Sequence, residues 1–347
     1  MKYGLPYMGS KNKIAEWVVS HFPEKKHFYD LFAGGCAVTH CAILKRKFET
    51  YTVNDISRTP GLFLDAVNGK FRNERRWISR GDFFRLKDTD EYVRICWSFG
   101  NKGKDYLYSR EIEPWKKALH YARVLGDFSL MAGFGIKTDG SRVDIKRNAA
   151  EYKEKYIRWY LKNVLKSTAD FEKLRENLDA KIKDNSERLQ RLERLERLER
   201  LQSLESLERL ERLERLESLE RLERLERLQR LERLQVFRGD YRDVRIEPDS
   251  LIYCDIPYKN TTKYAGGGFD HESFYDWAER QSEPVIISEY AMPEDRFERI
   301  DRIEKRSLLN GCGSNLIKEE GLFVPGAQIE KGIFRRRQEY PQLELFQ

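Results

Sequence analysis

None of the five cysteines (Cys36, Cys41, Cys96, Cys254 and Cys312) falls in a Cys-x-x-Cys pair. That argues against a zinc site and against a disulfide framework, so a reducing compartment and no metal centre are expected. Long apolar runs are missing as well. No window approaches the ~18 uninterrupted apolar residues of a membrane span, and the start of the chain has no apolar core of signal-peptide length. A soluble, cytoplasmic protein is the expectation. The Gly-x-Gly-x-x-Gly fingerprint of dinucleotide binding is absent, which argues against NAD and leaves other adenosine-containing ligands open. There is no strong charge imbalance either: 65 Lys and Arg against 58 Asp and Glu give +7 over 347 residues.

What the chain does contain is a near-perfect triplet repeat, mostly Arg-Leu-Glu, over residues 187–235. Its 13 Arg and 13 Glu cancel, so the positive excess sits in the remainder, which suits a polyanionic partner. Sixteen leucines recur at every third position from Leu189 to Leu234. Leu, Arg and Glu favour helix, yet a period of three advances 300° per step on an α-helix, so the leucines circle it within about 18 residues. No single apolar face persists, and a heptad coiled coil is excluded as the simple reading. One straight helix would run roughly 70 Å, so a bent or doubled-back helical arm is expected. Repeat expansion without a function, self-association and an extra nucleic-acid clamp all remain open for it, and no chemistry is assigned. The oligomeric state is not readable.

Both flanks of the repeat show an α/β pattern. Residues 28–32 read as a strand, followed by a small-residue turn, Ala33 to Ala37, and a helix from about Val38. Small residues let the backbone approach a ligand. A second short strand, 51–56, carries Asp55 about 20 residues past the turn, the spacing at which an acid commonly binds ribose hydroxyls. After the repeat, Val236 to Tyr241 give a short strand and an acid, Asp240. Leu251-Ile-Tyr-Cys254 then read as a buried strand that delivers Asp255, Ile256, Pro257 and Tyr258 to a loop. Ligands of open α/β sheets sit at such carboxyl ends. The following loop carries Lys259, Lys263, Tyr264 and three glycines, a candidate lid. A helix is expected from about His271 to Arg280, a strand over 284–290, a hairpin around 306–315 and a last strand over 320–324.

The segment 60–170 breaks the alternation. Helices are expected at about 61–69, 111–125 and 148–165, with an exposed turn or hairpin tip at Lys137-Thr-Asp-Gly-Ser-Arg142. Bases alternate with aromatics there, among them Trp77, Trp97, Tyr106, Tyr108 and Trp115. Such interleaving suits phosphate contact combined with base contact, although a solvated helical subdomain reads the same way.

Taken in order, these pieces resemble the Dam-type, alpha-group adenine-N6 DNA methyltransferases over about 1–70 and 236–325. Tyr7-Met-Gly9-Ser-Lys11 is similar to the aromatic-x-Gly-x-Lys motif that touches the methyl donor. Asp30-Leu-Phe32-Ala33-Gly34-Gly35 resembles the S-adenosylmethionine loop, though Cys36 stands where a further Gly is often found. Asp55 matches the ribose acid, and Asp240 the acid that contacts the donor's adenine. Asp255-Ile256-Pro257-Tyr258 is similar to the catalytic Asp-Pro-Pro-Tyr, with Ile256 in place of the first Pro. Ser288-Glu-Tyr290 falls at a later strand-end motif, and Arg306-Ser-Leu-Leu-Asn with Glu319-Glu320 echoes the C-terminal hairpin and strand.

The resemblance implies a Rossmann-like methyltransferase sheet. Its catalytic domain would comprise 1–70 and 236–347, with a mainly helical target-recognition region at 71–186 and the repeat at 187–235. It implies S-adenosylmethionine as cofactor, double-stranded DNA as partner, and a bacterial or phage setting of the restriction-modification kind. The reaction is methyl transfer to N6 of a flipped adenine. Lys137, Arg142, Lys259, Lys263 and Tyr264 would then bind substrate. Two other readings stay open: an RNA adenine or DNA cytosine-N4 methyltransferase on the same scaffold, and a non-enzymatic DNA-binding or assembly protein.

Overall fold

Every residue of the strand Ser250–Cys254 is buried, as is every residue of Val285–Glu289. Strands hidden on both faces belong at the centre of a sheet covered by helices. The computed structural model describes residues 3–7, 9–164, 234–258, 268–307 and 316–334. The chain falls into two units, Met1–Arg72 with Ser218–Gln347, and Asn73–Glu217.

The first unit is built on a seven-stranded sheet. In chain order the strands are β1 (His27–Asp30), β2 (Thr50–Asp55), β3 (Leu234–Arg238), β4 (Ser250–Cys254), β5 (Val285–Glu289), β6 (Phe297–Ser307) and β7 (Leu316–Pro325). Their order across the sheet is β3-β2-β1-β4-β5-β7-β6. The first five strands pair in parallel, whereas β7 runs antiparallel to both β5 and β6. β6 and β7 pair as an antiparallel hairpin; the expected last strand, 320–324, lies within β7, and most of the hairpin expected around 306–315 lies outside the described residues. The helices of this unit include α1 (Ala15–Ser20), α2 (Ala37–Leu44) and α3 (Thr59–Val67).

β1 lies between β2 and β4, so the strand order reverses beside it. That reversal opens a crevice at the carboxyl ends of β1 and β4. Asp30 and Asp255 stand at those two ends. Below them, Leu31, Ile252, Cys254, Ile256, Phe274 and Ile287 share one apolar cluster, which anchors the strand ends. β3 starts at Leu234, inside the triplet repeat as delimited from sequence. Leu234 and Gln235 therefore belong to the sheet and not to a helical arm: their pairing with Tyr51 and Thr52 outweighs the helix preference of the triplets. The rest of the repeat lies outside the described residues.

The second unit is helical where described: α4 (Arg80–Leu86), α5 (Glu91–Cys96), α6 (Glu113–His120), α7 (Ser129–Gly133), α8 (Arg142–Arg147) and α9 (Ala149–Asn163). Ser79, Asp90 and Ser141 cap α4, α5 and α8 through side-chain oxygens. A π turn, Tyr121–Leu125, continues α6. Its core joins Trp115, Ala118, Met131, Ile145 and Tyr156, with Trp115 stacked on Tyr156 at 5.7 Å. Among the described residues of the chain, no helix is long and apolar enough to cross a membrane.

α10 (His271–Glu279) and α11 (Gly326–Glu330) complete the described helices of the first unit. Trp115→Ala is expected to destabilise the helical unit by about 3–5 kcal/mol, the usual cost of deleting a buried aromatic. The check is urea denaturation followed by helical circular dichroism, and an unchanged midpoint would show that Trp115 does not hold this core.

Candidate active site

Lys11 is where the site begins. Ser10 caps the single turn Lys11–Lys13, its hydroxyl accepting from the Asn12 N–H. This turn carries the Lys11 side chain inward until only 4 % of it is exposed. Its ammonium lies 2.5 Å from Asp255 Oδ1 and 3.2 Å from Glu320 Oε1. It also donates to the Tyr258 hydroxyl and sits 4.6 Å from the centre of that ring. The Tyr258 hydroxyl in turn donates to Glu320, and Ser288 Oγ donates to the same Oε1 at 2.8 Å. Burial works against the Lys11 charge, but Asp255 and then Glu320 more than offset it and raise its pKa. Burial, followed by the charges of Asp255 and Glu320, holds the Tyr258 hydroxyl far above its ordinary range, so it remains a donor. Tyr290 packs on the Tyr258 ring with centroids 4.3 Å apart.

The motif loop is fixed from below. Ile256 is 2 % exposed and packs in the core with Cys254 and Phe274. The Pro257 carbonyl accepts from His271 Nε2 at 2.8 Å. Burial of the Ile256 side chain gives that position a packing role, beyond the backbone carbonyl that the motif resemblance emphasises.

The second half of the crevice surrounds the glycine turn. Gly34 adopts φ +47°, and a Cβ there would press on the Tyr7 ring at 3.0 Å; at Gly35 it would meet Tyr7 Cβ at 2.8 Å. Tyr7 thus covers a turn that has no room for side chains. Cys36 holds φ +56°, a left-handed conformation in which glycine would be unstrained. Asp55 Oδ2 accepts the Gly34 N–H and its Oδ1 the Ser57 N–H, both at 2.8 Å. Asn54 Nδ2 donates to the carbonyls of Leu31 and Gly239, both at 3.2 Å, tying the ends of β1, β2 and β3 together. Gly9, with φ +81°, turns the chain between Tyr7 and Lys11.

The other expected residues are placed as follows. Phe32 packs against Tyr241, Phe269 and Phe274, with centroids 5.2–5.7 Å apart, and Ala33 is buried. Asp240 makes a two-pronged pair with Arg242, at 2.5 and 2.8 Å, which lowers its pKa. Lys137 and Arg142 are exposed, and the Arg142 guanidinium donates to the Val124 carbonyl at 3.1 Å. Lys137 to Ser141 form a mostly exposed loop before α8, the exposed-turn alternative rather than the hairpin tip, because Asp144 accepts from Asp139 N and Ser141 caps the helix. Lys259, Lys263 and Tyr264 lie outside the described residues.

In the helical unit the expected interleaving of bases and aromatics is corrected. Trp97, Tyr106, Tyr108 and Trp115 are at most 4 % exposed, so these rings form the core and present no stacking surface. Many bases are exposed, among them Arg75, Arg76, Lys102, Lys104, Arg110, Lys146 and Arg147, whereas Lys116 is buried beside the Tyr108 ring. Residues 73–164 hold 20 bases against 13 acids, the whole +7 excess of the chain.

Sequence reading missed Asn54, His271 and the buried partner role of Glu320. It also missed Ile56, which stands 68 % exposed directly after Asp55. A visible signal existed for two of them: Asn54 precedes the strand-end acid, and Glu320 is an acid entering the apolar run Leu322-Phe-Val324.

A seven-stranded, largely parallel sheet with a glycine turn after β1, an acid after β2 and Asp-Ile-Pro-Tyr after β4 is consistent with the α/β fold of a methyltransferase. A model of the D12 class N6 adenine-specific DNA methyltransferase family matches residues 7–188, just over half the chain, and the chain belongs to that family. It is an adenine-specific DNA methyltransferase, of a family that generally uses S-adenosylmethionine. The match ends before β4 and does not extend to Asp255. A search of curated proteins found no match.

Asp30 gives the site a pH signature. It is 2 % exposed; Thr39 donates to one oxygen at 2.6 Å, and Oδ1 has no hydrogen-bond partner. Burial, eased by Thr39, pushes its pKa up to about 7. The unfolded value is about 3.9. Between these values the folded protein keeps a proton that the unfolded chain has lost, so stability falls as pH rises from about 4 to 7. Asp30→Asn is expected to be more stable than wild type above pH 7 by roughly 2–4 kcal/mol, with the gain vanishing toward pH 4. Urea denaturation of both proteins across that range is the check, and a pH-independent difference would contradict the raised pKa.

Proposed function

We propose that Asp255, the Ile256 carbonyl and Tyr258 hold a flipped adenine for methyl transfer at N6. The observation that carries this reading is the pairing of Asp255 with Lys11 at 2.5 Å, at the carboxyl end of β4 beside the Tyr258 ring. The exocyclic amine is a poor nucleophile because its lone pair is delocalised into the ring. A carboxylate oxygen carries two lone pairs, so Asp255 can hold Lys11 and still accept an amine N–H. The Ile256 carbonyl accepts the second N–H. Together they draw the nitrogen toward tetrahedral geometry and aim its lone pair. Tyr258 stacks on the base once it has left the duplex. Transfer leaves the nitrogen with one proton too many, and Asp255 is the adjacent base to take it.

The residues around the glycine turn fit S-adenosylmethionine. Gly34 and Gly35 leave a turn that a Cβ would fill, and Asp30 keeps an unpartnered buried oxygen. Each Asp55 oxygen retains a lone pair for a ribose hydroxyl, and exposed Ile56 offers an apolar face for a purine. When bound, that cofactor supplies the electrophilic methyl group. Tyr7, Gly9, Lys11, Phe32, Ala33 and Asp240 complete the proposed cofactor side. Lys137, Arg142 and the exposed bases of the helical unit hold DNA phosphates; Lys259, Lys263 and Tyr264 would act on the substrate from the loop after the motif.

Asp255→Ala is expected to lower methylation by about 100–1000-fold while leaving S-adenosylmethionine binding intact. Labelled methyl transfer to unmethylated DNA, nucleoside analysis and calorimetry of the cofactor measure this; a wild-type rate would end the assignment. Ile256→Pro keeps the carbonyl, so activity is expected within about tenfold of wild type, with a stability loss of roughly 1–2 kcal/mol for the lost packing. If this variant folds but does not methylate, the carbonyl is not the acceptor.

A further inference from the structure

Glu320 is a fully buried carboxylate on β7, and nothing in the reaction described so far uses it. Burying a carboxylate costs several kcal/mol unless donors surround it. Here three converge on Oε1: Lys11 Nζ, Ser288 Oγ and the Tyr258 hydroxyl. Lys11 is thereby shared between Glu320 and Asp255. An ammonium can only donate, so the Tyr258 oxygen accepts from Lys11 and turns its own hydrogen to Glu320. The hydroxyl tip of the ring is thus pinned in one hydrogen-bonded orientation. The Lys11 ammonium lies at the hydroxyl end of the ring, 4.6 Å from its centroid, and the Tyr290 ring lies 4.3 Å from it.

We propose that Glu320, seated by Ser288, is a positioning residue for methyl transfer: through Lys11 it sets the Asp255 carboxylate, and through the phenol it sets the tilt of Tyr258. The inference rests on the proposed roles of Asp255 and Tyr258. Two carboxylates and one ammonium leave the cluster with net charge −1, which also favours the positive charge that develops on the amine during transfer. Misplacement of a reacting group by about 1 Å can cost on the order of 100-fold in rate, so loss of this support is read in kcat.

The experiment compares wild type, Glu320→Gln, Lys11→Met, the double variant and Asp255→Ala in one labelled-methyl assay, with cofactor affinity measured by calorimetry. Glu320→Gln keeps the shape but loses the charge. Its kcat is expected to fall by at least about tenfold, with KM for DNA and for S-adenosylmethionine within about threefold of wild type. The double variant is expected to match Lys11→Met within about threefold, because both changes break one chain of contacts. A smaller fall, a loss confined to KM or cofactor affinity, or additive effects would overturn the inference. If Glu320→Gln does not fold, Ser288→Ala is read instead: a fall in kcat alone supports the proposal, and an unchanged kcat overturns it. A wild-type protein and Asp255→Ala with equal activity would defeat the proposed reaction itself. An inactive Asp255→Ala beside a normal Glu320→Gln would defeat only the role of Glu320.

Discussion

One ammonium shared by two carboxylates organises the crevice. Lys11 comes from the start of the chain, Asp255 from the end of β4 and Glu320 from β7, so three distant segments meet on one charge. Removing a partner from such a buried group leaves an uncompensated ion, at a cost of about 3–5 kcal/mol. The same contacts orient the Tyr258 hydroxyl. Stability of the strand ends and geometry of the reactive loop therefore depend on one interaction.

The cofactor side of the crevice is held by different means. There the turn is shaped by backbone groups and by the absence of side chains. Gly34 and Gly35 leave space under Tyr7, while Asp55 and Asn54 hold the turn and the strand ends through N–H and C=O groups. Cys36 shows that the turn tolerates a left-handed residue with a small side chain. In the helical unit most of the large rings lie in the core and many bases lie outside, with buried Lys116 and exposed Phe84 and Phe99 as exceptions.

Much of the α/β frame was legible because buried parallel strands are short apolar runs and their turns are marked by Gly, Asp and Pro. β1, β2, β4, β5 and α10 fall within a few residues of their expected places. The short helices α4, α5, α7 and α8 were not foreseen, since segments of five to seven residues carry too little periodicity to read. The interleaved aromatics misled for a related reason. Alternation in sequence does not say which side chains point inward, and packing turned Trp97, Tyr106, Tyr108 and Trp115 into the core, three of them from turns and a bridge between helices.

By itself the sequence determined the order of the motifs, the strand-end positions of Asp55 and Asp255, and the neutrality of the triplet repeat. These are properties of local pattern and composition, and they survive folding. Only the tertiary structure decided that Lys11 faces Asp255 and Glu320, that Asp240 is engaged by Arg242, and that the repeat's last two residues, Leu234 and Gln235, join a strand. Apart from the Asp240–Arg242 pair, which is local, each of these depends on which strands become neighbours across the sheet. Sheet neighbours are separated by tens to hundreds of residues, a distance over which local propensity carries no information.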